Sequence, residues 1–260
     1  MLTRFPALDA LLTELVGTAR DILGNTFVGA YIQGSFALGG GDEHSDCDFI
    51  IATTVLPSGR AEADLRRLHD EIPTRTGPWT SELEGSYADI ASLRSVADMG
   101  VPWLFNNHGH RELTWDTHCN NPHARWILRN RGITMAGPPV TDLVDEVPPE
   151  ALRDEARAAL PTIMSDLRTW APFDIAWTQR YAVATYCRTL YTLDTAEVAY
   201  KRQAMEWARD HLDPRWRPLL TQAIEDRALG WDPAAPPRPG SMAETYAFAA
   251  YAEASGTVGR

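Results

Sequence analysis

Apolar positions recur at helical spacing near the start of the chain. Within residues 7–23, Leu8, Leu11, Leu12, Leu15, Val16, Ala19 and Ile22 line one face, and Gly24-Asn25 stops the run. The pattern then shortens to that of strands. FVGAYIQ (27–33), DCDFIIATT (46–54) and ELEGSYADI (82–90) each read as one. Gly34-Ser35 opens a short helical turn after the first strand, and GGGDEHS loops back to the second, so these two strands are expected side by side. Ala61, Leu65, Leu68 and Ile72 predict an amphipathic helix over 58–73. The stretch 100–140 is aromatic and loop-rich, with one helix expected over 121–131 and capped by Gly132. MAGPPV (135–140) reads as a turn and a domain boundary.

Beyond residue 148 the spacing is helical. Segments 149–169, 174–194, 197–211, 214–228 and 241–254 are separated by Pro and Gly, and PAAPPRPG (233–240) is a stiff, extended connector. The expected architecture is therefore an N-terminal α/β domain, residues 1–148, followed by a C-terminal α-helical bundle, residues 149–260.

Charge narrows the function classes. With 24 basic and 35 acidic residues the formal charge is −11, which argues against nucleic-acid or anionic-membrane partners and suits a cationic ligand. No apolar run approaches a membrane span, and acidic residues come too early in the first segment for a signal peptide. Three scattered cysteines, Cys47, Cys119 and Cys187, form no disulfide framework, so a reducing, cytoplasmic setting is expected. Nothing resembles a dimerisation zipper, and a monomer is expected. Arginine outnumbers lysine 23 to one, and the single lysine, Lys201, reads equally as chance or as a position that needs a compact ammonium rather than a planar fork.

The chemistry concentrates in residues 34–48. Side chains two apart on a strand share a face, so Asp46 and Asp48 project together and Cys47 opposite. Two carboxylates that close repel unless a cation intervenes, and hard oxygen ligands of this kind suit Mg²⁺ carrying a nucleotide triphosphate. Gly34 would let a phosphate approach the backbone, and Ser35, opening the next helical turn, would add a hydroxyl and the helix dipole. There is no Walker lysine. A third carboxylate is available from the strand at 82–90, where Glu82 and Glu84 share a face and periodicity does not choose between them.

Gly34-Ser35, ten intervening residues and Asp46-Cys47-Asp48 resemble the signature of the polymerase β-type nucleotidyltransferase superfamily. That resemblance implies a nucleotidyltransferase domain with a mixed sheet and flanking helices, in which both aspartates hold Mg²⁺ ions bridging ATP. LEGSY is similar to the stretch carrying the third carboxylate in the aminoglycoside 3″/9-adenylyltransferases, which points to Glu84 as general base, with Glu82 as the fallback. The segment 186–212 also resembles that family, matching at Arg188, Lys201, Ala204, Trp207 and Ala208; Arg188 and Lys201 would contact the nucleotide phosphates, and the others pack the helix.

The resemblance implies transfer of AMP from ATP to a hydroxyl of streptomycin or spectinomycin, a small cationic acceptor. Trp170, Asp174 and Trp177 are the candidate acceptor contacts, with Glu112 and Asp116 behind them. HGHRELTWDTHCNNPH (108–123) has the composition of a zinc site but not its spacing, and is expected to be a loop with polar contacts. Trp103, Phe105 and Trp115 are expected in the core or a lid, and His44 in an exposed loop. The competing readings are a nucleotidyltransferase acting on another small molecule or a protein, and a regulatory nucleotide-binding relative with little turnover.

Overall fold

The computed structural model describes residues 1–257 and divides into two compact units, Met1–Val147 and Pro148–Arg260. In the first unit α1 (Pro6–Leu23) starts on a proline at its first turn and ends at Gly24, whose φ of +53° breaks the helix. The carboxylate of Asp9 ties down the preceding segment by accepting from the N–H groups of Leu2 and Thr3. Next come β1 (Phe27–Ile32), the four-residue α2 (Gly34–Ala37), β2 (Cys47–Thr53), α3 (Gly59–Glu71) and β3 (Leu83–Asp89). The unit continues with α4 (Ile90–Arg94), β4 (Trp103–Asn106), β5 (Leu113–Asp116), α5 (Pro122–Arg131) and β6 (Ile133–Ala136).

The six strands form one mixed sheet in the order β5-β4-β3-β2-β1-β6; β2 and β3 run parallel and every other pair antiparallel. Pleat alternation divides β2 between two cores. Phe49 and Ile51 lie with Leu8, Leu12, Leu15, Leu65 and Tyr87, while Ile50 and Ala52 lie with Tyr31, Trp103, Leu128 and Val144. A strand covered on both faces reads as a continuous apolar run, which is why FIIA carries no alternation.

β4, β5 and β6 correct the reading of 100–140 as loop with a single helix. MAGPPV is not the boundary: Ile133–Ala136 is an edge strand paired with β1, and the first unit runs on to Val147. Trp103 and Phe105 are buried, as expected of core residues, whereas Trp115 is exposed on the edge strand β5 and donates its indole N–H to Glu62.

The second unit is helical: α6 (Pro149–Ala159), α7 (Ile163–Trp170), α8 (Ala176–Thr195), α9 (Lys201–His211), α10 (Arg217–Glu225) and α11 (Ser241–Thr257). The expected helix over 149–169 is two helices, broken at Leu160–Thr162, where Pro161 lacks the N–H to continue. Central α8 is buried on several sides and packs against α6, α7, α9, α10 and α11. It ends at Ala196 with φ +54°, so α9 starts at Lys201 rather than 197. No helix among the described residues is long and apolar enough to cross a membrane.

Within the first unit, α3 buries His69, only 2% exposed, against the sheet. Its ring stacks on Phe49, and Nε2 lies 2.9 Å from the Tyr87 hydroxyl. Burial pushes the imidazole down from 6.5 to about 4. Above pH 6.5 the ring is neutral in both folded and unfolded chains. As pH falls through 6.5 toward 4 only the unfolded chain takes the proton, so stability is lost, by about 3 kcal/mol in total. Urea unfolding at pH 7 and pH 4.5 is expected to show this loss diminished in His69→Gln, which keeps a polar partner for Tyr87. An identical pH dependence in both proteins would rule the assignment out.

Candidate active site

Parallel pairing of β2 and β3 sets Asp48 opposite Glu84 and Phe49 opposite Gly85. A side chain at Gly85 would run into the ring of Phe49, so the glycine lets the two strands pair closely beside the acidic residues. Asp46 directly precedes β2 and projects with Asp48 on the face away from Cys47. Carboxylate oxygens of Asp46, Asp48 and Glu84 lie within 4.8 Å of one another, and all three residues are half-buried. Among the described residues this is the single group of three or more Asp, Glu, His or Cys side chains with that proximity.

Gly34 has φ +61° and sits against Asp48: a Cβ there would fall on the Asp48 carboxylate. The N–H of Gln33 donates to the Asp48 carbonyl at 2.9 Å, fastening the turn to β2. In α2 the Oγ of Ser35 is buried without a hydrogen-bond partner, as is Oε1 of Gln33. Buried polar atoms left unsatisfied are uncommon, and here two flank Gly34 beside a carboxylate cluster, where a bound ligand would complete the bonding. His44, expected in an exposed loop, is half-buried, and its N–H donates to Asp42.

The two glutamates of 82–90 separate. Glu84, 15% exposed, joins the aspartates; the Oε2 of Glu82 instead lies 2.7 Å from His108 Nε2. Glu84 has neighbours of its own. Its Oε1 is 3.4 Å from His118 Nε2, and its Oε2 accepts from the His108 N–H, also at 3.4 Å. The Glu84 carboxylate, through hydrogen bonding above all, raises the His118 pKa from its usual 6.5 against the opposing effect of burial, and Glu82 does the same for His108. His108 and His118 thus take carboxylate partners at Glu82 and Glu84, and the histidines of 108–123 assemble no metal-binding group among the described residues. Exposed Glu112 lies between β4 and β5, and Asp116 accepts from the His118 N–H at 2.8 Å.

The second unit holds the remaining candidates. Arg188 lies along α8, with its Nε buried and without a hydrogen-bond partner. Lys201 opens α9, its Nζ 5.2 Å from the ring centre of Tyr181 and 5.4 Å from that of Trp231. Those three residues, with Trp177, Arg180 and Arg227, line an open pocket of about 360 Å³. Trp170 stacks on Trp177 at 6.0 Å and remains 58% exposed, which removes it from the core. Asp174 is exposed in the turn between α7 and α8 and does not cap α8. Tyr181 and Trp231 went unnoticed in the sequence. Tyr181 follows Trp177 by one helical turn on the same face, which is a usable signal; Trp231 sits beside the proline-rich connector, where nothing marks it.

Comparison with known proteins agrees with the fold. The family model described as "Aminoglycoside adenylyltransferase, C-terminal domain" matches residues 142–251. An aminoglycoside (3″)(9) adenylyltransferase of Klebsiella pneumoniae is 26% identical over 231 residues, covering 82% of both chains. A spectinomycin 9-adenylyltransferase of Campylobacter jejuni is 26% identical over 225 residues, again covering 82% of each. The crystal structure of a spectinomycin adenyltransferase from Enterococcus faecialis with ATP and spectinomycin shares the fold, with a TM-score of 0.67 at 14% identity, over 95% of this chain and 98% of that one. The chain is a nucleotidyltransferase, with a mixed α/β unit followed by a helical one. It is similar to the aminoglycoside 3″/9-adenylyltransferases, and residues 142–251 match the model of their C-terminal domain.

Proposed function

We propose that the chain transfers AMP from Mg²⁺-ATP to a hydroxyl of an aminoglycoside antibiotic, streptomycin or spectinomycin, and releases pyrophosphate. The observation that carries this reading is the convergence of Asp46, Asp48 and Glu84 beside the Gly34-Ser35 turn. The relatives' names supply the substrate class, and the residues supply the chemistry.

Three closely spaced carboxylates are a hard-oxygen set that fits Mg²⁺, with Asp46 and Asp48 as its ligands. Such an ion, when bound, neutralises triphosphate charge and lowers the barrier to displacement at phosphorus. Ser35 Oγ, lacking a partner, is free to donate to a phosphate oxygen. Glu84 accepts the proton of the acceptor hydroxyl as its oxygen bonds to the α-phosphorus. The bond from that phosphorus to the bridging oxygen breaks, and pyrophosphate leaves with the electron pair.

Arg188 and Lys201 are assigned to the nucleotide phosphates. The unsatisfied Nε of Arg188 supports its place there, and so does the position of Lys201 beside Arg180 and Arg227. Exposed Trp170, stacked on half-buried Trp177, offers an aromatic face to a cationic acceptor, with Asp174 nearby in sequence. The acidic balance of the chain favours such an acceptor over nucleic acid. The working form is taken to be a cytoplasmic monomer.

Pyrophosphate release from ATP and Mg²⁺ with streptomycin, spectinomycin, other aminoglycosides and lincomycin tests the proposal. Release with streptomycin or spectinomycin is the expected result. Silence across the panel with ATP still bound would exclude aminoglycoside transfer and favour another acceptor or a regulatory role. In the same assay Lys201→Arg is expected to raise the ATP KM about tenfold, because a planar guanidinium beside Tyr181 and Trp231 places its charge and donors differently from the compact ammonium. Unchanged kinetics would show that charge alone is needed at this position.

A further inference from the structure

We propose that His118 is a positioning residue that holds the Glu84 carboxylate in its working orientation, an inference that rests on the base role given to Glu84 above. The strand pairing fixes the backbone of Glu84 opposite Asp48, but three rotatable side-chain bonds remain, and a general base must face the hydroxyl it deprotonates. Both carboxylate oxygens have a neighbour on the segment after β3: Oε1 faces His118 Nε2, and Oε2 accepts from the His108 N–H.

His118 is itself held from several directions. Its ring lies 5.1 Å from that of Phe105, tilted by 34°, and Phe105 is buried on β4 directly opposite Ser86. Its N–H donates to Asp116 Oδ1. Just beyond it, Cys119 is buried, and the side-chain amide of Asn120 donates to the carbonyls of Asp98 and Val101. The loop is therefore anchored on both sides of the histidine. The imidazole, 61% exposed, reaches the much less exposed Glu84 from the solvent side. Glu82 and His108 form a separate pair, so the side chain facing Glu84 here is that of His118.

The test uses AMP transfer from labelled ATP to the acceptor that wild type uses, in single and multiple turnover. His118→Ala is expected to lower kcat about 10–100-fold while leaving the ATP KM within about twofold. His118→Gln, whose amide is long enough to donate to Oε1, should recover most of the rate; His118→Asn, too short, should not. The double variant Glu84→Gln/His118→Ala should be no slower than Glu84→Gln alone, because a residue acting through Glu84 has nothing left to position. Thermal melts of all variants establish that each is folded, and the Gln-against-Asn contrast keeps the test decisive if His118→Ala is not. A wild-type rate in His118→Asn would overturn the proposal. So would a cost that persists undiminished in the Glu84→Gln background, or one confined to the acceptor KM. Loss of the base assignment is a separate result: Glu84→Gln would then transfer at the wild-type rate whatever stands at 118.

Discussion

Adenylyl transfer is expected to fall about a thousandfold in Glu84→Gln and to stay within about threefold of wild type in Glu82→Gln. The amide has the shape of the carboxylate, so packing in this 15%-exposed position is preserved, and the loss reports on proton acceptance. Asp46 and Asp48 remain, and nucleotide binding, followed by calorimetry with ATP and Mg²⁺, should therefore persist. The two glutamates are a matched pair. They share a strand face in the sequence, yet only Glu84 approaches the aspartates, while Glu82 is engaged by His108. Loss of activity in Glu82→Gln with Glu84→Gln intact would reverse the assignment.

Periodicity narrowed the base to two residues and only the resemblance of LEGSY favoured Glu84, for a definite reason. Period-two patterning says which face a side chain takes, but the level at which β3 pairs with β2 is a tertiary quantity. The register Asp48↔Glu84 brings Glu84 rather than Glu82 beside the aspartates and is written in no local pattern. His118 was hidden for a similar cause. It lies in an exposed segment rich in histidine, and only the return of the chain through β4 and β5 brings it to Glu84. Asp46, Asp48, Gly34 and Ser35 were legible because they fall within fifteen residues of one another in a strand–turn–strand unit.

The fold shows the same division. Long amphipathic segments such as α1 and α3 announced themselves, and the α/β unit followed by helices was evident. Three four-residue strands were not. WLFN is buried throughout and shows no alternation, LTWD is an edge strand with three exposed residues, and ITMA follows a helix after a single glycine. Each is too short for a period to register, and each is defined by its partner rather than by itself. The break at Pro161 was written in the sequence but was overridden by the apolar spacing on either side of it.

Gly34→Ala is expected to abolish transfer, by more than about a thousandfold, and the contrast with Gly39→Ala shows why. Both glycines have positive φ, +61° and +83°, so either alanine costs about 1–2 kcal/mol in backbone conformation. At Gly39 the added methyl meets nothing within 4 Å, and the cost ends there. At Gly34 the methyl occupies the space of the Asp48 carboxylate and lies 2.9 Å from its Cβ. Asp48 cannot yield by moving its backbone, since its carbonyl holds the Gln33 N–H and its strand is paired to β1 and β3. The side chain must therefore rotate away from Glu84 and Asp46, or the turn carrying Ser35 must lift. Either response dismantles the cluster that would hold the divalent cation. The glycine thus serves a carboxylate within the protein, in addition to the close phosphate approach its place at a strand end suggests. Mg²⁺-dependent ATP binding and transfer, measured in both variants, separates strain from displacement. Gly39→Ala should keep activity within about threefold of wild type despite a lower melting temperature, whereas Gly34→Ala should lose both binding and transfer. Full activity in Gly34→Ala would mean that the Asp48 carboxylate does not need the position it holds here.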